Sequence, residues 1–296
     1  MQQFFGILPA VITPVDSNEH FHLPTFETLL NRLFQARVDG IYVCGQTGEG
    51  LQQSTTQRMR VAEAAVALAP KGKQVIIHIG AGSTREARHL AAHASDIGAT
   101  AVSSLPPYGA YSFEEVRDYY RAIAEASSVP LFVYYFPSIA PGITRLDQLL
   151  ELCAIPNVAG MKYTDSDLYK LSELAHSGAI IYAGSDEMLV ASLLRGASGG
   201  IGSIYNLLPD LFVELFSLTR AGRWAEASAL QDRINVLIRI VLHHPVNPAI
   251  KTLLRWSGID CGPCLKPRRE LTVEEEQRLR ARIEQTEFAA RFRVPA

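Results

Sequence analysis

The stretch NVAGMKYTD, residues 157–165, is a short apolar run that ends on a lysine, Lys162. Such a run, followed by a helical pattern, is typical of a buried strand in a parallel sheet. An unpaired buried ammonium is costly, and lysine relieves that cost by giving up its proton more readily than arginine. A neutral amine is a nucleophile toward carbonyl carbons. The stretch therefore predicts a buried strand that presents a Schiff-base-forming amine to a keto substrate.

Apolar runs of the same kind alternate with amphipathic helical patterns over the first two thirds of the chain. This alternation is the signature of βαβ units around a parallel sheet. The predicted strands are 7–13, 40–44, 75–79, 101–104, 131–134, 158–162, 180–183 and 199–202. The helices predicted between them are 23–37, 55–68, 84–97, 112–126, 145–152, 167–176 and 187–194.

Eight such repeats predict an α/β fold of the (β/α)₈ TIM-barrel type. A doubly wound open sheet is the alternative, but it needs a glycine-rich turn after its first strand, where this chain has PVDS at 14–17. After residue 208 only helices are predicted, at 211–220, 225–242, 248–256 and 273–291. We therefore expect a barrel that carries the active site over 1–222 and a helical extension over 223–296.

The composition is that of a globular protein, with 48% hydrophobic and 20% charged residues and a net charge of −2 among 296 residues. This balance gives no reason to expect nucleic acid or a membrane surface as partner. The first residues show no basic region and no cleavage site, which predicts a cytoplasmic protein. Cys261 and Cys264 have CxxC spacing without a second pair, so we expect two thiols in a late loop and no metal site.

Catalytic groups of a TIM barrel lie at the C-terminal ends of its strands, and Lys162 is the lysine that ends an apolar strand. The remaining lysines, all expected in loops or on polar helix faces, are Lys71, Lys73, Lys170, Lys251 and Lys266. Burial lowers the pKa of a lysine because it disfavours the charged form. The alternative for Lys162 is a side chain that reaches the surface or pairs with Asp165.

Tyr134 ends the neighbouring predicted strand. Adjacent strands lie about 4.8 Å apart, so two inward-facing strand-end side chains can meet. A phenol beside the amine is suited to moving protons to and from the substrate oxygen. The alternative is a tyrosine that packs in the core, as the adjacent Tyr135 and Phe136 indicate.

Three further strand ends are rich in glycine or carboxylates. The loop GQTGE at 45–49 can bind a carboxylate through its amides or can simply be a tight turn. Asp186 and Glu187 can accept hydrogen bonds from substrate hydroxyls or cap a helix. The glycines at 199–202, followed by Ser203, suggest a phosphate site of the kind common in this fold. The neighbouring carboxylates of Asp186 and Glu187 argue against it, because they would repel a phosphate.

Taken together, GQTGE at 45–49, Tyr134 followed by Pro137, and Lys162 resemble the pyruvate-dependent class I aldolases. This family includes dihydrodipicolinate synthase and N-acetylneuraminate lyase, and the resemblance extends over nearly the whole chain. It implies a TIM barrel, usually a homotetramer, with a Schiff base on Lys162, a proton-relaying Tyr134, and no metal or organic cofactor. It also implies that Thr47 and its amides hold the pyruvate carboxylate, and that Tyr108 reaches into a neighbouring subunit's site.

The lyase branch of the family is the more similar one. The stretches KYT at 162–164, GSDE at 184–187 and GIGSIYN at 200–206 resemble it, which implies a 2-keto sugar acid as substrate, with N-acetylneuraminate first among them. The substrate-binding residues that the resemblance implies are Gln46, Thr47, Thr164, Gly184, Asp186, Glu187, Gly202 and Ser203.

At three positions this chain differs from the families that it resembles. Dihydrodipicolinate synthase has a carboxylate-binding arginine where this chain has Ile139, and an aliphatic side chain cannot replace such a clamp. Gln46 stands where the family has serine or threonine, so the hydroxyl that the family uses for proton relay is missing at this position. Tyr135 stands where asparagine is common, and we expect it to alter the shape of the site.

Three alternatives stay open at this point. The first is the same chemistry on another partner, either in dihydrodipicolinate synthesis or on a smaller keto-deoxy sugar acid. The second is a phosphate- or flavin-binding barrel that uses the glycines at 199–202. The third is a non-catalytic sugar-acid sensor.

Overall fold

The computed structural model describes residues 4–139 and 142–292, and eight parallel strands form its centre. The strands are β1 (Gly6–Pro9), β2 (Gly40–Val43), β3 (Gln74–His78), β4 (Ala101–Ser104), β5 (Leu131–Tyr135), β6 (Val158–Tyr163), β7 (Ile180–Ala183) and β8 (Gly199–Gly202). From β2 to β8 each strand pairs with the next, and β8 pairs with β1. A parallel bridge between Ala10 and Tyr42 joins β1 to β2. The predicted TIM barrel is confirmed.

Helices follow the strands in alternation and then continue alone. They are α1 (Leu23–Gln35), α2 (Thr55–Leu68), α3 (Thr84–Asp96), α4 (Phe113–Ala126), α5 (Leu146–Cys153), α6 (Leu168–His176), α7 (Leu189–Leu194), α8 (Pro209–Arg220), α9 (Trp224–Leu242), α10 (Val246–Trp256) and α11 (Val273–Glu284). Hydroxyl caps set several starts, and Ser112 with Glu115 forms a complete capping box at α4.

The last helix is shorter than predicted. The sequence pattern extends it to residue 291, but α11 ends at Glu284 and a 3₁₀ turn follows over Glu287–Phe292. The chain turns here because Phe288 and Phe292 are both buried, which a straight continuation of the polar helix would not achieve. The presence of a C-terminal helical extension is confirmed.

Hydrophobic residues form two layers, one inside the barrel and one between the strands and the helices. The barrel interior contains Leu8, Tyr42, Ile76, Phe132, Tyr134, Tyr182 and Ile201, among others. Strand residues alternate between the two layers, so Tyr134 points inward while Tyr135 points outward. The Tyr135 ring packs 5.2 Å from that of Tyr163, and its hydroxyl donates to Asp165 at 3.2 Å. Tyr135 therefore faces away from the barrel interior, and its effect on the shape of the site stays a prediction.

The segment after α10 folds back onto the barrel. The Val15 amide donates to the Cys261 carbonyl at 3.1 Å. Cys261 and Cys264 lie in this loop as free, buried thiols, as expected. No helix in the described part of the chain has both the length and the apolar character that a membrane span requires.

Candidate active site

A cavity of about 530 Å³ opens at the C-terminal ends of the strands. Among the residues predicted for the site, those that line it are Gln46, Thr47, Tyr134, Lys162, Thr164, Gly184, Asp186, Glu187 and Ser203. Ile139, at the position where dihydrodipicolinate synthase carries an arginine, also lines it. One wall comes from the helical extension and contains Ile238, Leu242, Val246, Asn247 and Arg268. Sequence reasoning assigned the site to the barrel alone and missed this wall.

Lys162 lies at the base of the cavity and is 4% exposed. Its strand register places it directly beside Tyr134, as expected. The amine Nζ lies 4.1 Å from the ring centroid of Tyr134 and 4.4 Å from that of Tyr42 on β2. Burial lowers the pKa of Lys162 to about 7, and the charge of Asp186 opposes that shift. The amine is therefore substantially neutral, and so nucleophilic, near neutral pH.

Within the described residues, Lys162 neither reaches the surface nor pairs with Asp165, the two alternatives that the sequence left open. Its side chain does not reach solvent, and the Asp165 carboxylate accepts hydrogen bonds from Tyr135 and from the Ser166 amide instead. Tyr42 was missed from the sequence, although strand alternation identifies it as an inward-facing aromatic residue of β2. The Tyr42 hydroxyl donates to Ser103 at 3.2 Å, which fixes the ring under the amine.

The Tyr134 phenol is buried in the same cluster. Burial raises the pKa of Tyr134, and the neighbouring Thr164 hydroxyl opposes this rise, although the two make no hydrogen bond of standard geometry. The ring of His78 lies edge-on to Tyr134 with a centroid separation of 6.1 Å. Burial lowers the pKa of His78 well below its usual value, and its Nε2 accepts from the Leu105 amide at 3.0 Å. The phenol is thus held protonated beside a neutral imidazole.

The loop over 45–49, the predicted anion nest, has two consecutive backbone amides that are free to bind an acceptor. Its carbonyls already have partners: Gly48 accepts from Thr13 and Gln53, and Asn247 donates to both Gln46 and Thr47 at 3.2 Å. The amides of Thr47 and Gly48 donate to no acceptor within residues 4–139 and 142–292. Thr47 is 8% exposed and lines the cavity. The loop therefore presents free amides and a hydroxyl in a form that suits a carboxylate.

The Gln46 side chain hydrogen-bonds to two residues, Tyr108 and Arg268. Its Nε2 donates to the Tyr108 hydroxyl at 2.9 Å, and its Oε1 accepts from an Arg268 nitrogen at 3.4 Å. Tyr108 is 53% exposed and belongs to a second, smaller cavity of about 340 Å³. Tyr108 therefore does not line the main cavity of its own chain, but it hydrogen-bonds to Gln46, which does. Sequence reasoning gave no role to Arg268.

Glu49, the last residue of the same loop, points away from the cavity to a second buried lysine. Its Oε2 lies 2.8 Å from the Nζ of Lys251, and its Oε1 accepts from the Leu265 amide at 3.0 Å. Lys251 is 4% exposed on α10. The expectation that it lies on a polar helix face is wrong, because α10 is enclosed by the loop and the extension and is buried over most of its length.

Asp186 is 5% exposed and lines the same cavity. Its Oδ2 accepts from the Ile204 amide at 2.8 Å and from the Ser203 hydroxyl at 3.5 Å, while Oδ1 is buried without a partner among the described residues. Burial raises the pKa of Asp186 to about 7. Glu187 is exposed at the cavity rim. Neither side chain makes a capping hydrogen bond to α7.

The glycines at these strand ends make room for protein side chains. A Cβ atom on Gly202 would lie 2.1 Å from Asp186 Oδ1, and one on Gly184 would lie 2.0 Å from Thr164 Oγ1. A Cβ on Gly200 would lie 2.2 Å from the Tyr205 hydroxyl. The space beside β8 is therefore filled by a carboxylate and a phenol, which is unfavourable for a bound phosphate. Among the described residues, no group of three or more His, Cys, Asp or Glu side chains is arranged to hold a metal ion.

A TIM barrel with a buried lysine of lowered pKa at a strand end, a phenol beside it and a loop with free amides at the same cavity defines an aldolase-type site. The model of the dihydrodipicolinate synthetase family matches residues 3–286. The chain belongs to the dihydrodipicolinate synthetase family, and it is a pyruvate-dependent class I aldolase, a carbon–carbon lyase.

Individual relatives agree with that assignment. The chain is 37% identical to the N-acetylneuraminate lyase of Rhizobium meliloti over 281 residues, which cover 94% of each protein. It is similar to the structure of CdNal from Clostridium difficile in complex with mannosamine, with a TM-score of 0.90, 29% identity, and coverage of 96% of this chain and 99% of that one. A catalytic-lysine mutant of Ruminococcus gnavus sialic acid aldolase gives a TM-score of 0.90 at 25% identity, over 96% of this chain and 97% of that one.

Proposed function

We propose that the protein cleaves a 2-keto sugar acid into pyruvate and an aldehyde sugar, with N-acetylneuraminate as the first candidate. The observation that carries the proposal is the Lys162 amine, buried at the base of the cavity with its pKa lowered to about 7. The named relatives support the substrate, because lyases and aldolases of sialic acid stand among those most similar in both sequence and structure.

The first step is attack of the neutral Lys162 amine on the keto carbon. Loss of water from the carbinolamine gives an iminium, which withdraws electrons from the bond between the third and fourth carbons of the substrate. A base takes the proton of the hydroxyl on the fourth carbon, that bond breaks, and the aldehyde leaves. The resulting enamine takes a proton, and hydrolysis of the imine releases pyruvate and restores the amine.

Tyr134 is the residue proposed to move protons in these steps. The centroid of its ring lies 4.1 Å from the amine, and a phenol in this position is suited to exchange protons with the carbinolamine and the substrate hydroxyl. Because burial raises its pKa, the phenol begins the cycle protonated, as a donor to the departing water. Thr47 is proposed to hold the keto-acid carboxylate. Tyr108, whose hydroxyl accepts a hydrogen bond from Gln46 at 2.9 Å, is proposed to reach a neighbouring subunit's site, as the family resemblance implies.

The same cavity is proposed to hold the polyhydroxy tail. Thr164, Asp186, Glu187 and Ser203 line it with hydroxyls and carboxylates, which accept hydrogen bonds from sugar hydroxyls. Gly184 and Gly202 provide the space in which two of these side chains sit. Dihydrodipicolinate synthesis is not favoured, since Ile139 offers the second substrate no carboxylate clamp.

Several expectations accompany this function. The proposed chemistry requires no metal or organic cofactor, since the lysine itself is the covalent catalyst. A homotetramer is proposed from the family resemblance, and light scattering on the purified protein tests it. A cytoplasmic location is proposed from the first residues of the sequence. Residue 222 is proposed as the boundary between the barrel and the helical extension. It does not bound the active site, because helices beyond it contribute to the cavity wall.

A substrate panel tests the proposal directly. We expect pyruvate release from N-acetylneuraminate by the wild type, no product from aspartate semialdehyde with pyruvate, and neither activity in Lys162→Ala. Borohydride reduction with pyruvate should add the mass of the reduced adduct to the wild type and to no peptide of the variant. If the wild type forms an adduct yet cleaves no sugar acid, the substrate assignment fails. If it forms none, the mechanism fails.

A further inference from the structure

Arg268 is a cation in the cavity wall that comes from the loop after α10. Its side chain is 33% exposed, so most of it is held within the wall. One terminal nitrogen donates to Gln46 Oε1 at 3.4 Å, and Nε lies 3.7 Å from Glu49 Oε1. The Nε atom is buried and makes no hydrogen bond of standard geometry to any described residue. The other terminal nitrogen, Nη1, donates to no acceptor among the described residues, so the guanidinium retains a donor for an anion.

The charged side chains that contact the end of the 45–49 loop do not sum to zero charge. Glu49 is the one carboxylate within 4.0 Å of either cation among the described residues, and it faces both Lys251 and Arg268. Its shorter contact, at 2.8 Å, is with Lys251. The cluster of Glu49, Lys251 and Arg268 thus retains one net positive charge. Arg268 is the member of the cluster that lines the cavity.

The cavity lining therefore combines a cation with two carboxyl groups. The excess positive charge contacts Gln46 and Glu49, which flank the free amides of Thr47 and Gly48 in the sequence, and Asp186 and Glu187 line the same cavity. A ligand with a carboxylate at one end and hydroxyls at the other matches this combination. A positive charge next to backbone donors strengthens carboxylate binding, because hydrogen bonds to charged groups are the stronger ones.

We propose that Arg268 is a further specificity-determining residue, whose guanidinium holds the carboxylate of the 2-keto acid together with Thr47. Gln46, which stands where the family has serine or threonine, keeps the guanidinium in place by accepting its hydrogen bond. The proposal rests on the proposed function, since it names what recognises one end of the same substrate. It also makes the C-terminal loop part of the binding site.

The test is borohydride trapping on Lys162 with pyruvate and with pyruvamide, its uncharged analogue, over a range of concentrations. Arg268→Leu should raise the half-saturating pyruvate concentration about tenfold to a hundredfold, the range for one lost charge-assisted hydrogen bond, and should leave that of pyruvamide nearly unchanged. Arg268→Lys, which retains the charge, should recover part of the loss. Arg269→Leu is the matched control, because Arg269 is exposed and paired with Glu275 outside the cavity.

The possible outcomes separate the two proposals. If Arg268→Leu retains the wild-type half-saturation for pyruvate, or weakens pyruvate and pyruvamide equally, the role assigned to Arg268 is wrong while the Lys162 adduct still supports the proposed function. If Arg269→Leu has the same selective effect, the cause is the total charge of the loop and the assignment also fails. If the wild type itself gives no adduct with pyruvate, the proposed function fails and this proposal fails with it.

Discussion

Two lysines of this protein are equally buried, at 4% exposure each, in opposite electrostatic surroundings. Lys251 donates to the Pro263 carbonyl at 2.6 Å and pairs with Glu49 at 2.8 Å. Lys162 lies between two aromatic rings, and within the described residues no carboxylate comes within 4.0 Å of it. The paired lysine is a structural cation, whereas the unpaired one has its pKa lowered to about 7. Burial alone therefore does not make a lysine reactive; the absence of a counter-charge does.

The largest expected effect is on catalysis. Lys162→Ala should lower the rate of pyruvate release by about 10³-fold or more, because loss of a covalent nucleophile removes the reaction path itself. Lys170→Ala is the control, since Lys170 forms a surface pair with Asp167 and should retain the wild-type rate. Steady-state assays of both variants make the comparison. Residual activity within tenfold of the wild type would show that another amine carries the reaction.

Stability should respond to the two lysines with opposite signs. Lys251→Met leaves Glu49 buried without its closest cation and should lower the free energy of unfolding by about 3–5 kcal/mol. Lys162→Met should raise it by on the order of 3 kcal/mol at pH 8, because the wild-type unfolded state binds a proton that the folded amine has largely lost. Urea unfolding of both variants measures the two changes.

The sign for Lys162 follows from its lowered pKa. Between about pH 7 and the usual lysine pKa of 10.5 the unfolded chain holds more protons, so the stability of the wild type should rise with pH in that window. Above it, the difference between wild type and Lys162→Met should shrink toward the change in packing alone. A pH-independent difference would contradict the assignment of a lowered pKa to Lys162.

Catalysis should follow the same titration. Under subsaturating pyruvate, the rate of adduct formation should rise about tenfold per pH unit below pH 7 and level off above it, since the neutral amine is the reactive form. Borohydride quenching at timed intervals in a series of pH buffers, followed by mass spectrometry, gives the rate of adduct formation at each pH. A midpoint near the usual lysine pKa would mean that the amine is not desolvated in the working enzyme.

The sequence was sufficient to predict the barrel and Lys162 because both are local signals. Strand and helix periods repeat along the chain, and an apolar run that ends on a lysine is visible within nine residues. Lys251 looked like any helical lysine, because what distinguishes it is a contact with Glu49 from the other end of the chain. Asn247 and Arg268 were missed for the same reason, since Asn247 meets Gln46 across 201 positions.

The smallest expected effect concerns the ring beneath the amine. The face of Tyr42 favours the charged form of Lys162 through a cation–π contact at 4.4 Å. Tyr42→Leu removes that face and should move the midpoint of the trapping profile to lower pH, by about half a unit to one unit. Tyr42→Phe keeps the ring and loses only the hydrogen bond to Ser103, so its midpoint should match that of the wild type. A rise of the midpoint in Tyr42→Leu would mean that the ring acts on Lys162 by excluding water, and that desolvation outweighs the attraction of its face.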